Sequence, residues 1–372
     1  MLDGGRGPVH PLALEALQQG AQEGWADVHG LHHEGRRAAA VLAASRAALA
    51  DAIGVRPEDV RFTPSHVASL HTAVAAVAPA RRLVGRGVVV SAVERAALLA
   101  AARHVAGDDV VEVGVDASGR VDARAFADAV AAPGTGLACL QHANGEVGTL
   151  QPVGAAHEAA RRASVPLLVD AGASFGHVDV GQAWDVLALD PASWGGVPGV
   201  GVVALRPRVR TTSWGPEDAE PWAPGGVSTA AAYAAAVSLQ AVLASRAESD
   251  RRRRALVARL RDGVARLVPD VQIAGDPDER LPHVLTFSCL YVDGEALLSE
   301  LDRVGIAVGS GSACTSLSLE PSHVLRAMGL LTHGNVRIVL HDAVTEQDVD
   351  HVLAVLPDAV ARVRSALGVA GL

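Results

Sequence analysis

The sequence predicts an α/β protein: a larger unit with a mostly parallel sheet, followed by a smaller carboxy-terminal α/β unit. Three observations carry that expectation. Short β-branched runs alternate with Ala- and Leu-rich stretches from about residue 36 to residue 205, the pattern of successive βαβ units. A mainly polar stretch bearing Pro and Gly at 206–226 then breaks the alternation. Although 49% of the residues are hydrophobic, no run of about eighteen uncharged apolar residues occurs, so no membrane helix is expected.

The strands expected in the larger unit are short apolar or β-branched segments at 87–91, 110–113, 137–141, 166–170, 186–189 and 200–205. Ala-rich segments at 37–53, 94–104, 122–131 and 154–163 are the expected helices. The helical segment 228–267 is too long for one straight helix inside a compact domain, and is expected to bridge two lobes. Beyond it, strands are predicted at 282–287, 305–308 and 336–340, with helices at 294–302 and 345–367. The expected domains are residues 12–240, and residues 241–372 joined by 1–11.

The composition excludes several chemistries. Every one of the 32 basic residues is arginine; the 372-residue chain has no lysine. No side chain can therefore form a Schiff base with a carbonyl cofactor, and arginine, always protonated, is no substitute. A net charge of -9 and an aromatic content of 3% argue against nucleic-acid binding. The three cysteines have no Cys-x-x-Cys spacing, and the amino terminus lacks a basic and apolar leader pattern, so a reducing cytoplasm is expected. The run Arg251 to Arg254 reads as a solvated helix face with partners such as Glu248, in preference to a nucleic-acid patch. The cluster Asp27, His29, His32, His33 and Glu34 has metal-ligand residue types but reads as a surface loop, and the Gly-rich stretch 195–201 reads as a tight turn.

The sharpest local signal is Gly309-Ser310-Gly311-Ser312-Ala313-Cys314-Thr315-Ser316, followed by Glu320-Pro321-Ser322 and a helix through Val324 to Met328. Small residues around one cysteine put its sulfur on a mobile loop, where it can be presented, withdrawn and oxidised to persulfide. Cys139 and Cys289, in apolar runs, read as buried inert thiols.

Residues 308–329 resemble the catalytic-cysteine loop of the cysteine desulfurase family, in its long-loop branch that feeds iron-sulfur assembly and tRNA thiolation. Asn144-Gly145-Glu146-Val147-Gly148 with Gln151, and Val169-Asp170-Ala171 with Gly176, are similar to two further family segments in the same order. The resemblance runs from Leu2-Asp3 to the final helix. It implies the fold-type I, class V aminotransferase architecture: a seven-stranded large domain, a smaller carboxy-terminal domain and a homodimer.

It also implies pyridoxal phosphate as cofactor, and each contact can be traced. Asp170 stands where the pyridinium-pairing acid belongs. Ser193 stands at the Schiff-base lysine position. The family's phosphate turn reads Ser65-His66-Val67-Ala68, its later Ser and His phosphate contacts are Asp190 and Ala192, and its ring-stacking histidine is Arg95. Ala173 replaces a glutamine near the ring, and Gly145 an asparagine. Arg337 matches the arginine that clamps the substrate carboxylate. Losses cluster at the cofactor while the sulfur-handling Cys314 survives. The expectation is a sulfur-transfer protein holding pyridoxal phosphate noncovalently or not at all. It acts as a persulfide carrier or as partner of an intact desulfurase and its sulfur acceptor, without nucleic acid or membrane. The alternative is a residually active enzyme releasing sulfur from L-cysteine to Cys314 and forming alanine.

Overall fold

The computed structural model describes residues 7–213, 220–310 and 321–369. Two helices, α1 (Pro11–Glu23) and α2 (His33–Ile53), precede a first strand, β1 (Val60–Thr63). Helix and strand then alternate: α3 (His66–Ala80), β2 (Gly87–Ser91), α4 (Ala96–Ala106), β3 (Val110–Val113), α5 (Ala123–Ala131), β4 (Thr135–Gln141), α6 (Val153–Arg162) and β5 (Leu167–Asp170). Strands β6 (Val186–Leu189) and β7 (Gly201–Leu205) complete a seven-stranded sheet in the order β1-β7-β6-β5-β4-β2-β3. Only β7 runs antiparallel to its neighbours.

Strand alternation decides which side chains meet which helices. On one face Val89, Leu140, Val169, Leu187 and Val202 pack with residues of α1, α2 and the long helix; on the other, Val88, Leu137, Cys139, Leu168 and Val203 pack under α3 and α4. With both faces covered, β4 is buried along its entire length, which is why its sequence reads as a continuous apolar run.

That long helix, α7 (Thr229–Leu267), is one uninterrupted element of 39 residues, about 58 Å from end to end. Its first half contributes Ala231, Ala235 and Leu239 to the large core, and its second half contributes Leu256, Leu260 and Val264 to another. The second core lies beneath a three-stranded antiparallel sheet of β8 (Val271–Ala274), β9 (Val284–Cys289) and a later strand. Helices α8 (Gly294–Asp302) and α9 (His323–Ala327) precede that last strand, β10 (Asn335–Val339), and α10 (Glu346–Ala366) covers the unit.

Five elements differ from expectation. No strand forms at 305–308; Gly305 turns the chain at φ 81°, and an isolated bridge from Gly309 to Arg337 is all that pairs there. Helices α1 and α3 and strands β1 and β8 were not anticipated; the two strands are four residues each, too short for a period to show.

The arginine run is a solvated face at Arg251, Arg252 and Arg254 but not at Arg253. Arg254 does pair with Asp250 one turn back, but Arg253 is buried, with one guanidinium nitrogen 2.8 Å from Asp342 and another 3.0 Å from His177 Nδ1. By contrast, the histidine cluster behaves as loop and cap: Asp27 accepts the His29 amide, and His32 Nδ1 caps α2 by accepting from Gly35. Among the described residues no group of His, Cys, Asp and Glu could hold a metal ion. Nor, among them, is any helix long and apolar enough to cross a membrane.

Candidate functional site

Parallel strands deliver their carboxyl ends to one edge of the sheet, and the candidate residues gather there. Asp170 ends β5, Gln141 ends β4, Glu94 and Arg95 follow β2, and His66 opens α3. The start of α3 is fixed locally. Ser65 caps it, its hydroxyl accepting from the Ala68 amide at 3.1 Å, while Thr63 donates to the Ser65 carbonyl at 2.9 Å. The neighbouring strand passes so close that a Cβ on Gly201 would lie 2.5 Å from the Ser65 carbonyl carbon. His66 is thereby directed under the sheet edge, where it is buried.

There the imidazole meets Asp170. His66 Nε2 lies 2.9 Å from Asp170 Oδ1, a close contact outside hydrogen-bonding alignment, and the Gly172 amide donates to the same oxygen at 2.8 Å. The other oxygen, Oδ2, lies 3.4 Å from Arg95 Nε. Burial pushes the Asp170 carboxyl upward, but His66, Arg95 and the Gly172 amide outweigh it and hold the group well below the usual carboxylate range. Arg95 thus pairs with the carboxylate by its Nε, a role the sequence comparison with a stacking histidine did not supply.

Glu94 behaves oppositely. Its Oε1 accepts from the Ser91 hydroxyl and the Gln141 amide, both at 2.9 Å, whereas its buried Oε2 has no hydrogen-bond partner. Burial raises this carboxyl to about 8, the Gln141 amide opposes, and the charge of Asp170 adds to the rise. Its folded pKa exceeds the unfolded value, so Glu94 contributes stability that is present below about pH 4.5 and lost as the pH rises through about 8. Glu94→Gln should therefore match the parent in acid and gain on it toward pH 8, a comparison made by thermal melts at both ends.

Ser193 does not take part in this cluster. Its hydroxyl donates to the Asp190 carbonyl at 2.8 Å within the short turn Pro191–Trp194, and its own carbonyl receives His177 Nε2 at 2.8 Å. Behind it His177 packs on His283 with ring centroids 4.0 Å apart, and Arg253 and Asp342 close the group. Burial drives the His177 imidazole down to about 4, with the Arg253 charge next, and drives His283 well below its ordinary value.

Arg337 sits on β10, its backbone bridged to Gly309, where the described chain enters the cysteine loop. Across from it Glu146 is raised by burial, against the opposing effects of the Ser322 hydroxyl, which donates at 2.6 Å, and of the nearby charges of Arg337 and His323. His323 Nε2 in turn reaches the Glu94 carbonyl at 2.9 Å. Cys314 lies outside the described residues. Asp170, His66, Arg95 and Glu94 are thus brought together, and Arg337 stands beside a group linked to them through His323. Asp342, His177, His283 and Arg253, far apart in sequence, carried no local signal.

These residues do not fit pyridoxal phosphate. There is no lysine, both Asp170 oxygens already face protein side chains, His66 and Arg95, and Ser65 takes a helix-start amide suited to phosphate. Where a hydroxyl contact to the phosphate is implied, Asp190 presents a carboxylate, which accepts from the Ala192 amide.

The pattern of the class-V aminotransferases matches residues 8–352. A cysteine desulfurase of Cereibacter sphaeroides is 34% identical over 95% of this chain and 94% of its own length. An IscS-like cysteine desulfurase of Mycobacterium tuberculosis is also 34% identical, over 98% and 97%. Among solved structures, a NifS-like protein superposes with a TM-score of 0.87 at 23% identity, covering 95% of this chain and 96% of that one. DndA from Streptomyces lividans does so with a TM-score of 0.77 at 26% identity, over 91% and 99%. Shared family pattern, near-complete coverage and a common seven-stranded architecture lead to one assignment: the chain belongs to the cysteine desulfurase family of class-V aminotransferases.

Proposed function

We propose that this chain works in sulfur transfer without covalent pyridoxal phosphate, as a persulfide carrier or as partner of an active desulfurase. One observation carries the reading: Asp170, the acid that would pair with the pyridinium nitrogen, already has both oxygens against His66 and Arg95, in a protein with no lysine. The Cys314 thiolate attacks the outer sulfur of a donor persulfide; the donor leaves as a thiolate, and Cys314 carries the persulfide onward to an acceptor. Arg337, beside the entry to the loop, supplies a fixed cation for an anionic donor or acceptor. The functional unit in this reading is a homodimer, or a pair with an intact relative, in the cytoplasm.

The purified chain is mixed with pyridoxal phosphate and L-cysteine. No bound-cofactor absorbance and no cysteine-dependent sulfide are expected; both appearing would establish instead a residually active desulfurase forming alanine. In a reconstituted assay with an active desulfurase, Cys314→Ser should abolish relayed sulfur. Full transfer by the variant would leave a scaffold and remove the relay.

A further inference from the structure

We propose that the His66 imidazole is a built-in occupant of the ring pocket, a protein-supplied aromatic ring set against Asp170. Removing it exposes a latent site for small imidazolium-type bases. The proposal rests on the reading above, that pyridoxal phosphate has no place here, and says what stands in its stead.

Three features of the site bear on this. His66 is buried and comes from the first turn of α3, the segment matching the family's phosphate turn, yet its ring reaches the acid matching the ring-nitrogen partner. A flat ring with a nitrogen 2.9 Å from Asp170 Oδ1 stands against the carboxylate that the pyridine ring nitrogen would face. Next, the space for the ring is made by Gly172. A Cβ there would lie 2.7 Å from His66 Cε1 and 2.9 Å from Cδ2, and closer still to Nε2, so a side chain at 172 and the imidazole exclude each other. Gly172 has no positive φ to demand a glycine; the ring does. Finally, His66 Nδ1 is buried without a hydrogen-bond partner, so the ring is held by the Asp170 contact and by packing, and by nothing on its far side.

Truncation of such a ring leaves a buried anion beside a ring-shaped hole, the condition in which a free base of the same shape binds and stabilises. The probe is imidazole, with pyrazole as the control of equal shape that stays uncharged at neutral pH. Imidazole should raise the melting temperature of His66→Ala by several degrees while leaving the wild type unmoved, and pyrazole should do less. If His66→Ala is unfolded alone, its refolding yield with and without imidazole reads the same rescue. No difference between variant and wild type in either readout overturns the proposal.

A second measurement needs no ligand. Gly172→Ala should lower the melting temperature of the wild type, and a large part of that loss should vanish in the His66→Ala background, because the Cβ then meets empty space. An innocuous Gly172→Ala in the wild type also overturns the proposal. Equilibrium dialysis of the wild type against pyridoxal phosphate separates the two levels. Stoichiometric binding there defeats the cofactor-free reading itself. Its absence, combined with failed rescue, defeats the surrogate alone.

Discussion

Asp170→Ala is expected to lower folding stability by about 3–5 kcal/mol, the scale found when one member of a buried charged group is removed. The carboxylate lies among His66, Arg95 and the Gly172 amide. Without it, a buried imidazole and a guanidinium are left facing each other across an apolar gap, and the amide loses its acceptor. Asp170→Asn keeps an acceptor for Gly172 but not the charge, so its loss should be intermediate. Urea midpoints for the three proteins order these effects. A change below about 1 kcal/mol for the alanine variant would mean that His66 and Arg95 do not depend on Asp170. The same group has a pH consequence: with a folded pKa below the unfolded one, its stabilisation is present above about pH 3.8 and is lost as the pH falls through the folded value.

Acid should weaken the protein before that point, because of its buried histidines. Burial holds His142 and His177 at about 4, and His283 lower than its ordinary value. An unfolded histidine titrates near 6.5, so from about pH 6.5 down to about 4 the unfolded chain binds more protons than the folded one. The histidine contribution is therefore greatest above that window and falls through it, by roughly 3 kcal/mol for each of His142 and His177, opposed in part by Glu94, whose contribution grows as the pH falls. For His177 the cause is specific: Arg253 donates to Nδ1, which fixes the neutral ring with its proton on Nε2 toward Ser193. Protonation of Nδ1 would set a cation against a buried guanidinium. The urea midpoint should drop steeply between about pH 6.5 and about pH 4.5. His177→Gln, which can still donate to Ser193 but does not titrate, should flatten that slope; an unchanged slope would assign the loss to other groups.

Much of this architecture was open to reading in the sequence, for identifiable reasons. The central strands of the large sheet announce themselves because both faces are covered, which makes the middle of β4 and the first three residues of β5 apolar. Asp170 was legible because it sits in a short segment with neighbours of fixed type. His66 was legible only as part of the segment matching the family's phosphate turn: its partner, more than a hundred positions away, is reached because Gly172 leaves room, a relation between strands that no local pattern expresses. Arg253 was hidden in a different way. Four consecutive arginines on a helix point in four directions, and which of them turns inward depends on His177 and Asp342, from elsewhere in the chain.

The three-membered arrangement at Asp170 also bears on the order in which changes at this site can be made. A lysine returned to position 193 by itself leaves His66 in the pocket, so nothing is gained. Withdrawing His66 first leaves the buried carboxylate with Arg95 as its remaining side-chain cation, and a hole beside it. Restoring a histidine at 95 first removes a permanent cation while the imidazole of His66 stays in place. On the function proposed above, each such change made alone is expected to be neutral or harmful, and benefit is expected only when several are combined. The pocket would then work as a ratchet, set by the packing of one glycine against one ring as much as by the missing lysine.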